Sequence, residues 1–167
     1  MKAIVLTGMP GAGKTSIAQI LSTKTGIKYA DIDLIIEKSE SASITSIFRD
    51  KGEVYFRNRE KEIIENTSEE ENIVISLGGG AFENKDIREL LLKKTYVVYL
   101  EASEKVLYER IKHEKNRPLL ENNPQKTIKN LLKKREKNYK LAHFTILTDN
   151  KTTDQIADEI IKCVNLK

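Results

Sequence analysis

Gly8-Met-Pro-Gly-Ala-Gly-Lys-Thr15 is an uninterrupted match to the pattern GxxxxGK[ST], which is typical of a loop that binds phosphate. The apolar run 2–7 precedes it, and the helix-forming stretch 16–21 follows it. Small residues let successive backbone N–H groups curl around an anion, and a helix that starts there adds the positive end of its dipole. We therefore predict a strand, a phosphate-binding loop (P-loop) and a helix, in preference to a glycine-rich turn without a ligand.

The same residues predict how a nucleoside triphosphate is held. Lys14 is long enough to reach the β- and γ-phosphates, and the Thr15 hydroxyl suits a place on Mg²⁺. We expect the nucleotide to contact six consecutive residues: Gly11, Ala12, Gly13, Lys14, Thr15 and Ser16. What the protein does with the triphosphate depends on the rest of the chain.

Length and composition restrict the class of protein. The chain has 167 residues, of which 39% are hydrophobic and 32% charged, and this is ordinary for one globular domain. No apolar run approaches the roughly 20 residues that span a bilayer, and we expect no leader because the first residues already enter a predicted strand. The single cysteine, Cys163, excludes an internal disulfide and a cysteine-based zinc site. We expect a cytoplasmic protein, and a monomer because no heptad repeat or apolar patch stands out.

Positive charge is concentrated in one part of the chain. Residues 105–140 contain 12 Lys and Arg against 4 Glu, so this segment carries +8 in a chain whose net charge is +4. The imbalance favours an anionic ligand on the basic side. A nucleic acid is the alternative ligand, but the chain has no Trp and no basic stripe with interleaved aromatic residues. We predict neither a nucleic-acid partner nor a membrane partner.

Short apolar runs alternate with helical patterns throughout the sequence. The predicted strands are residues 2–7, 28–32, 73–77, 95–100 and 144–148, and the predicted helices are residues 14–25, 34–48, 51–66, 84–93, 103–113, 125–141 and 153–164. Two of these strands are apolar on both faces, as buried parallel strands are. The alternation predicts a three-layer α/β domain, in which helices flank a parallel sheet. No repeat or linker marks a second domain.

Two carboxylates, Asp31 and Asp33, follow the second predicted strand. Ligands of open α/β sheets bind beyond the carboxyl ends of the strands, so both side chains should lie beside the P-loop. Carboxylate oxygens suit Mg²⁺, and a carboxylate can also orient or deprotonate an attacking hydroxyl. The alternative is that one of the two only caps the helix that starts near Leu34.

The polar segment 112–124 lies between two predicted helices, contains Pro118 and Pro124, and is longer than a typical connection. It is either a mobile lid or a passive surface loop. Arg117 favours the lid, because a cation on a closing loop can neutralise a triphosphate.

Three further patterns are weak when taken one at a time. Arg57-x-x-Glu60 and Arg135-x-x-x-Tyr139 lie in helical stretches, where a single arginine is usually solvated. Gly78-Gly79-Gly80 follows the third predicted strand, although three glycines there cost backbone entropy. We expect the backbone at these glycines to approach a ligand closely.

Together and in this order, the motifs resemble those of the shikimate kinase family. That family reads as a P-loop, D-x-D after strand two, F-R-x-x-E, G-G-G after strand three, a lid arginine followed by Pro-Leu, and R-x-x-x-Y-x-x-x-A. All six occur here and cover nearly the whole chain: Lys14, Asp31 and Asp33, Arg57 and Glu60, Gly78 to Gly80, Arg117-Pro118-Leu119, and Arg135, Tyr139 and Ala142. The resemblance implies an adenylate-kinase-like P-loop NTPase fold with five parallel strands in the order 2-3-1-4-5. It also implies transfer of a phosphoryl group from ATP to the 3-hydroxyl of shikimate.

The resemblance implies roles on the side of the phosphoryl acceptor. Asp33 would bind the shikimate hydroxyls and act as the base. Arg57 and Arg135 would clamp the shikimate carboxylate, with the backbone of Gly78, Gly79 and Gly80 nearby. The helical segment 34–66 would be the shikimate-binding part of a single kinase domain.

On the nucleotide side, the resemblance implies that Thr15 and Asp31 hold Mg²⁺, directly or through water. Lys14 and Arg117 would act on the phosphates, and Arg110 matches a position that stacks on adenine. The core of the domain would comprise residues 1–33, 67–111 and 125–167, and the lid would be residues 112–124.

Two departures from the family pattern affect its nucleotide side. The third strand ends without the acidic residue that many P-loop proteins carry there, and no proline follows the fifth strand to pack on adenine. Another small-molecule kinase of the same fold, such as a gluconate or nucleoside monophosphate kinase, is the main alternative. A GTPase would need a guanine-reading Asn-Lys-x-Asp motif, which the sequence lacks. A non-catalytic relative would be expected to have lost one of the motif residues.

Overall fold

Five parallel strands form one sheet in the order β2-β3-β1-β4-β5. Their bounds are β1 Ile4–Thr7, β2 Lys28–Asp31, β3 Ile73–Ser76, β4 Tyr96–Glu101 and β5 Phe144–Leu147. This computed structural model describes residues 1–112 and 123–165. The predicted lid therefore lies almost wholly outside the described residues, and Arg117 lies outside them too. The predicted fold class and strand order are confirmed.

Seven helices within the described residues connect or flank the strands. They are α1 Lys14–Thr25, α2 Ile32–Glu40, α3 Ile44–Ser68, α4 Lys85–Lys94, α5 Glu104–Ile111, α6 Pro124–Tyr139 and α7 Thr153–Cys163, and a short 3₁₀ turn spans Ala81–Glu83. The side chain of the residue before each helix from α2 to α7 accepts a backbone N–H of the first turn and so stabilises it, whereas Gly13 before α1 has no side chain to do this. Thr152 and Gln155 form the reciprocal capping box expected from their spacing.

The hydrophobic core is built around the two central strands. Every residue of β1 and β3 is buried, because a strand in the middle of a parallel sheet is covered on both faces. Helix α1 packs its apolar side chains Ile17, Ala18 and Leu21 against this core and contacts α7. No helix in the parts of the chain that the structure covers has the length and apolar character needed to cross a bilayer.

The segment between β2 and β3 differs from its prediction. The expected helices 34–48 and 51–66 are instead α2, which ends at Glu40, and the long α3, which contains a kink at Gly52. Ser41 adopts a left-handed conformation (φ 49°) that ends α2, and the Ser43 side chain caps α3 by accepting a hydrogen bond from the Ser46 N–H. Serine side chains that bond to the local backbone decide this boundary, which hydrophobic periodicity does not register.

Candidate active site

The P-loop joins β1 to α1 in a conformation that depends on its glycines. Gly8, Gly11 and Gly13 have φ angles of 144°, 83° and 90°, which residues with a Cβ rarely adopt. Space is also limited, because a Cβ on Gly11 would lie 2.5 Å from Cγ2 of Ile111. Conformation and space therefore both favour glycine at Gly11.

Two cations lie against the carbonyl groups of this loop. The mostly buried Lys14 ammonium donates hydrogen bonds to the carbonyl oxygens of Gly8 and Met9, both at 2.9 Å. Nη1 of Arg110 lies 3.3 Å from the carbonyl oxygen of Gly11 and 3.4 Å from Oγ1 of Thr148. The expected contact of Arg110 with adenine stays a prediction, whereas its contact with the P-loop is present in the structure.

Hard oxygen atoms meet at the start of α1. The Thr15 hydroxyl donates to Oδ2 of Asp31 at 2.6 Å and lies 3.4 Å from Oγ of Ser76. The other oxygen of Asp31 accepts the backbone N–H of Leu34, so this residue also caps α2. The capping alternative therefore applies to Asp31, which also contacts Thr15 of the P-loop, and its role on Mg²⁺ stays a prediction.

This oxygen set suits Mg²⁺ only if phosphate and water supply the remaining ligands. Within residues 1–112 and 123–165, no group of three or more His, Cys, Asp or Glu side chains could hold a metal by itself. Mg²⁺ commonly binds one or two protein oxygens together with substrate phosphates and waters. Sequence reasoning missed Ser76, although it is the last residue of β3 and pairs with Asp31 in the sheet register.

Asp33 lies in the first turn of α2, against the turn that follows β3. A Cβ built on Gly78 would lie only 2.7 Å from Oδ1 of Asp33 and 3.1 Å from Oε1 of Glu60. The two carboxyl groups therefore occupy the space that a side chain at this position would need. The φ of Gly78 lies outside the left-handed region, so backbone conformation does not require a glycine here. The lack of space for a side chain does.

The two predicted arginines reach the same turn from different helices. Nη2 of Arg57, on α3, lies 3.2 Å from the place of a Cβ on Gly80. Arg135, on α6, donates to the carbonyl oxygen of Gly79 at 3.1 Å. The glycine turn is thus the common neighbour of Asp33 and both arginines, although these three lie far apart in sequence. Side chains of the site itself approach the backbone closely at these glycines, and the expected approach to a ligand stays a prediction.

Two carboxyl groups of the site, those of Asp33 and Glu60, have pKa values above the ordinary ones. Burial raises the pKa of Asp33, and the Asp31 carboxylate adds to this effect while Lys14 opposes it. Burial also raises the pKa of Glu60, against the effect of Arg57, which donates to Glu60 at 2.7 Å. A carboxylate with a raised pKa is a stronger base, as a group that removes a proton from an alcohol should be.

Two residues that the sequence interpretation left without a role support this geometry. Glu60 is almost fully buried and holds the Arg57 guanidinium. Tyr139 donates its hydroxyl to the Gly79 carbonyl and stacks on Tyr99 at 5.1 Å between ring centroids. The sequence offered one signal for both residues. Glu60 follows Arg57 by three positions and Tyr139 follows Arg135 by four, and residues at these spacings share a helix face.

The phosphate loop and the glycine turn adjoin each other. A Cβ on Gly79 would lie 2.9 Å from Cδ of Pro10 in the P-loop. The P-loop thus lies next to a turn that is surrounded by the carboxyl groups of Asp33 and Glu60 and by two arginines. This arrangement, on this sheet topology, defines the class of P-loop kinases that act on small acidic molecules.

Comparison with known proteins identifies the family. The model of the shikimate kinase family matches residues 10–165. A curated shikimate kinase from Sulfurihydrogenibium sp. (strain YO3AOP1) is 40% identical over 161 residues, which are 96% of this chain and 96% of that protein. The chain belongs to the shikimate kinase family.

Solved structures agree with this assignment. A shikimate kinase from Acinetobacter baumannii in complex with shikimate has a TM-score of 0.94 and 35% identity, covering 99% of this chain and 93% of that one. A gluconokinase from Sinorhizobium meliloti has a TM-score of 0.64 and 18% identity over 98% of this chain and 91% of that one, so it shares the fold alone.

Proposed function

We propose that the protein transfers the γ-phosphoryl group of ATP to the 3-hydroxyl of shikimate, giving shikimate 3-phosphate and ADP. The observation that carries this proposal is the convergence of Asp33, Arg57 and Arg135 on the Gly78–Gly80 turn, next to the P-loop. The similar Acinetobacter protein is described in complex with shikimate, which supports the same acceptor here.

The two arginines suit a carboxylate better than lysines would. A guanidinium is planar and presents paired N–H donors that match the two oxygens of a carboxylate. Arg57 is held by Glu60, with Nη1 and Oε2 2.7 Å apart, and Arg135 is held by the Gly79 carbonyl. Because each guanidinium is anchored by part of its donor set, little side-chain entropy remains to be lost when the acceptor binds.

Asp33 is the group that we assign as base. Its carboxylate takes the proton of the attacking hydroxyl as the new O–P bond forms and the bond between the γ-phosphorus and the leaving oxygen of ADP breaks. Phosphoryl transfer asks little covalent chemistry of the protein, so positioning and charge neutralisation supply most of the catalysis. Lys14 contributes positive charge to the phosphates. Arg117 is assigned the same task, although it lies outside the described residues.

Mg²⁺ fits the oxygen atoms of Thr15, Asp31 and Ser76. The Thr15 hydroxyl oxygen lies 2.6 Å from Oδ2 of Asp31 and 3.4 Å from Oγ of Ser76. When bound, the ion would neutralise phosphate charge and fix the orientation of the triphosphate. Thr15 and Asp31 are the residues that would hold it, directly or through water.

The remaining assignments follow from the same proposal. Gly11, Ala12, Gly13 and Ser16 would contact the phosphates with Lys14 and Thr15, and Arg110 would lie at the adenine. The single domain would divide into a core of residues 1–33, 67–111 and 125–167, a shikimate-binding segment 34–66 and a lid 112–124. We further propose that the protein acts as a monomer in the cytoplasm, which size-exclusion chromatography with light scattering and cell fractionation would check.

The test is a coupled assay of ADP release with Mg·ATP, with and without shikimate, and with gluconate and nucleoside monophosphates as controls. We expect rapid ADP release only with shikimate. Activity with a control but not with shikimate would refute the proposed acceptor and leave the P-loop assignment intact.

Two variants test the residue roles in the same assay. Asp33→Ala should abolish transfer but leave ATP binding intact, and near-normal turnover would refute its role as base. Arg57→Lys keeps the charge but loses the paired donors, so the KM for shikimate should rise. An unchanged KM would remove Arg57 from the carboxylate clamp.

A further inference from the structure

Glu40, in the last turn of α2, is a nearly buried charged group that the reaction does not use. Only 8% of its side chain is exposed. Its carboxylate accepts hydrogen bonds from Lys51 at 2.7 Å, from Arg59 at 3.0 Å and from the Tyr55 hydroxyl at 3.0 Å. Burial of a charge is unfavourable unless the charge is paired and hydrogen-bonded, and Glu40 satisfies both conditions. We call these four residues the Glu40 cluster.

The partners of Glu40 lie on both sides of the kink in α3. Gly52 has φ 83° and ψ 166°, which are not helical values, and a kink of this kind is a point where a helix bends. Lys51 belongs to the segment before the kink, whereas Tyr55 and Arg59 belong to the segment after it. A Cβ on Gly52 would meet no described atom within 4 Å, so close packing at this residue does not hold the bend. Glu40 therefore ties α2 to both segments of α3.

Each segment of α3 contributes one aromatic ring that lies near the Arg57 guanidinium. Phe48 lies before the kink and Phe56 after it, and their ring centroids are 4.6 Å apart. The guanidinium carbon of Arg57 lies 5.9 Å from the centroid of Phe48 and 5.2 Å from that of Phe56. A change in the angle at Gly52 would move one ring relative to the other, and the Arg57 guanidinium with them.

We infer that Glu40 is a positioning residue for the acceptor pocket, an inference that rests on the proposed shikimate kinase activity. By fixing the angle between the two segments of α3 and their place on α2, it sets the position of Arg57 relative to Asp33, which is also on α2. The P-loop and α1 are not part of the cluster. Its loss should therefore weaken acceptor binding and leave nucleotide binding unchanged.

The test compares three variants with the wild type. Glu40→Gln removes the charge and keeps the size of the side chain, and Tyr55→Phe removes one donor. Glu62→Gln is the matched control, because Glu62 pairs with the same Arg59 but has 57% of its side chain exposed. Steady-state kinetics would give kcat and the KM of each substrate, and calorimetric titration with shikimate alone would give its dissociation constant.

We expect the KM and dissociation constant for shikimate to rise on the order of tenfold in Glu40→Gln, below the ~10²-fold that a 1 Å misplacement can cause. Tyr55→Phe should show a smaller rise in the same two constants. The KM for ATP should stay at the wild-type value in both variants. Glu62→Gln should behave as the wild type throughout.

Three results would overturn the inference. One is an unchanged shikimate affinity in folded Glu40→Gln, and another is an equal rise in the KM of ATP, which indicates a general loss of structure. If circular dichroism shows that Glu40→Gln does not fold, Tyr55→Phe decides between the same outcomes. The third is a wild type that neither binds nor phosphorylates shikimate, which would refute the proposed function itself and is recognised before any variant is made.

Discussion

Alanine substitution of each glycine in the turn 78–80 should impair a different part of the reaction. None of the three has a φ in the left-handed region, so the added methyl group acts chiefly through contact. At Gly78 it would lie 2.7 Å from the Asp33 carboxylate. At Gly79 it would meet Pro10 of the P-loop at 2.9 Å, and at Gly80 it would meet the tip of the Arg57 side chain at 3.2 Å.

The distances set the expected order of effects. Ordinary contact begins at 3.4 Å, so Gly78→Ala forces the Asp33 carboxylate to move by about 0.7 Å, and displacements near 1 Å can cost ~10²-fold in rate. We therefore expect kcat/KM for shikimate to fall by roughly 10- to 100-fold in Gly78→Ala. Gly80→Ala needs a shift of only a few tenths of an ångström in a flexible side chain. Its KM for shikimate should rise by no more than about threefold, which is well under the cost of a full 1 Å shift.

Gly79→Ala is the internal control for this series. Because Pro10 belongs to the P-loop, this variant should raise the KM for ATP, whereas the other two should not. The assay is ADP release with each substrate varied in turn, and thermal unfolding would show that all three variants fold. Wild-type kinetics in Gly78→Ala, or the same pattern of constants in all three variants, would refute the argument from close approach.

Two further predictions concern the residues that support the site. Tyr139→Phe removes the hydroxyl that bonds to the Gly79 carbonyl, so the free energy of unfolding should fall by about 1 kcal/mol and Tm by about 2–4 °C. Tyr99→Phe, from the same ring stack, is the control. Equal losses of stability in both variants would contradict the role given to the Tyr139 hydroxyl. Burial raises the pKa of Glu60 above its ordinary 4.5. Its contribution to stability is therefore present below pH 4.5 and is lost as the pH rises through the folded-state pKa. Chemical unfolding at pH 4 and pH 8 should thus show Glu60→Gln gaining stability relative to the wild type at the higher pH, and a change in the opposite direction would show that pairing with Arg57 outweighs burial.

The local elements of this protein are readable from its sequence because they depend on neighbouring residues. Gly8 to Thr15 specifies its own loop through glycine conformations and the helix that follows. The strands and most helices lie within a few residues of their predicted bounds, since apolar periodicity reflects burial directly. The exceptions are the end of α2 at Glu40 and the start of α3 at Ile44. There, serine hydrogen bonds to the backbone outweigh the periodic pattern.

The candidate site was predictable as a set of residues but not as an arrangement. Taken singly, Arg57 and Arg135 are weak signals, and the resemblance to a family supplies the roles proposed for them and for Asp33. Their convergence on one glycine turn requires α6 to pack next to the end of β3. No local sequence pattern predicts that packing. The same is true of Ser76 beside Thr15, because Ser76 ends β3 and Thr15 lies in the first turn of α1, so only folding brings the two hydroxyl groups together.

The sequence by itself determined the phosphate loop, the class of fold and the family. Only the tertiary structure decided why Gly78 must lack a side chain, which carbonyl holds Arg135, and that Glu40 ties α2 to both segments of α3. The physical reason is the range of the forces involved. Backbone conformation and helix capping act over a few residues along the chain, whereas steric exclusion and the pairing of buried charges act between residues that only folding brings into contact.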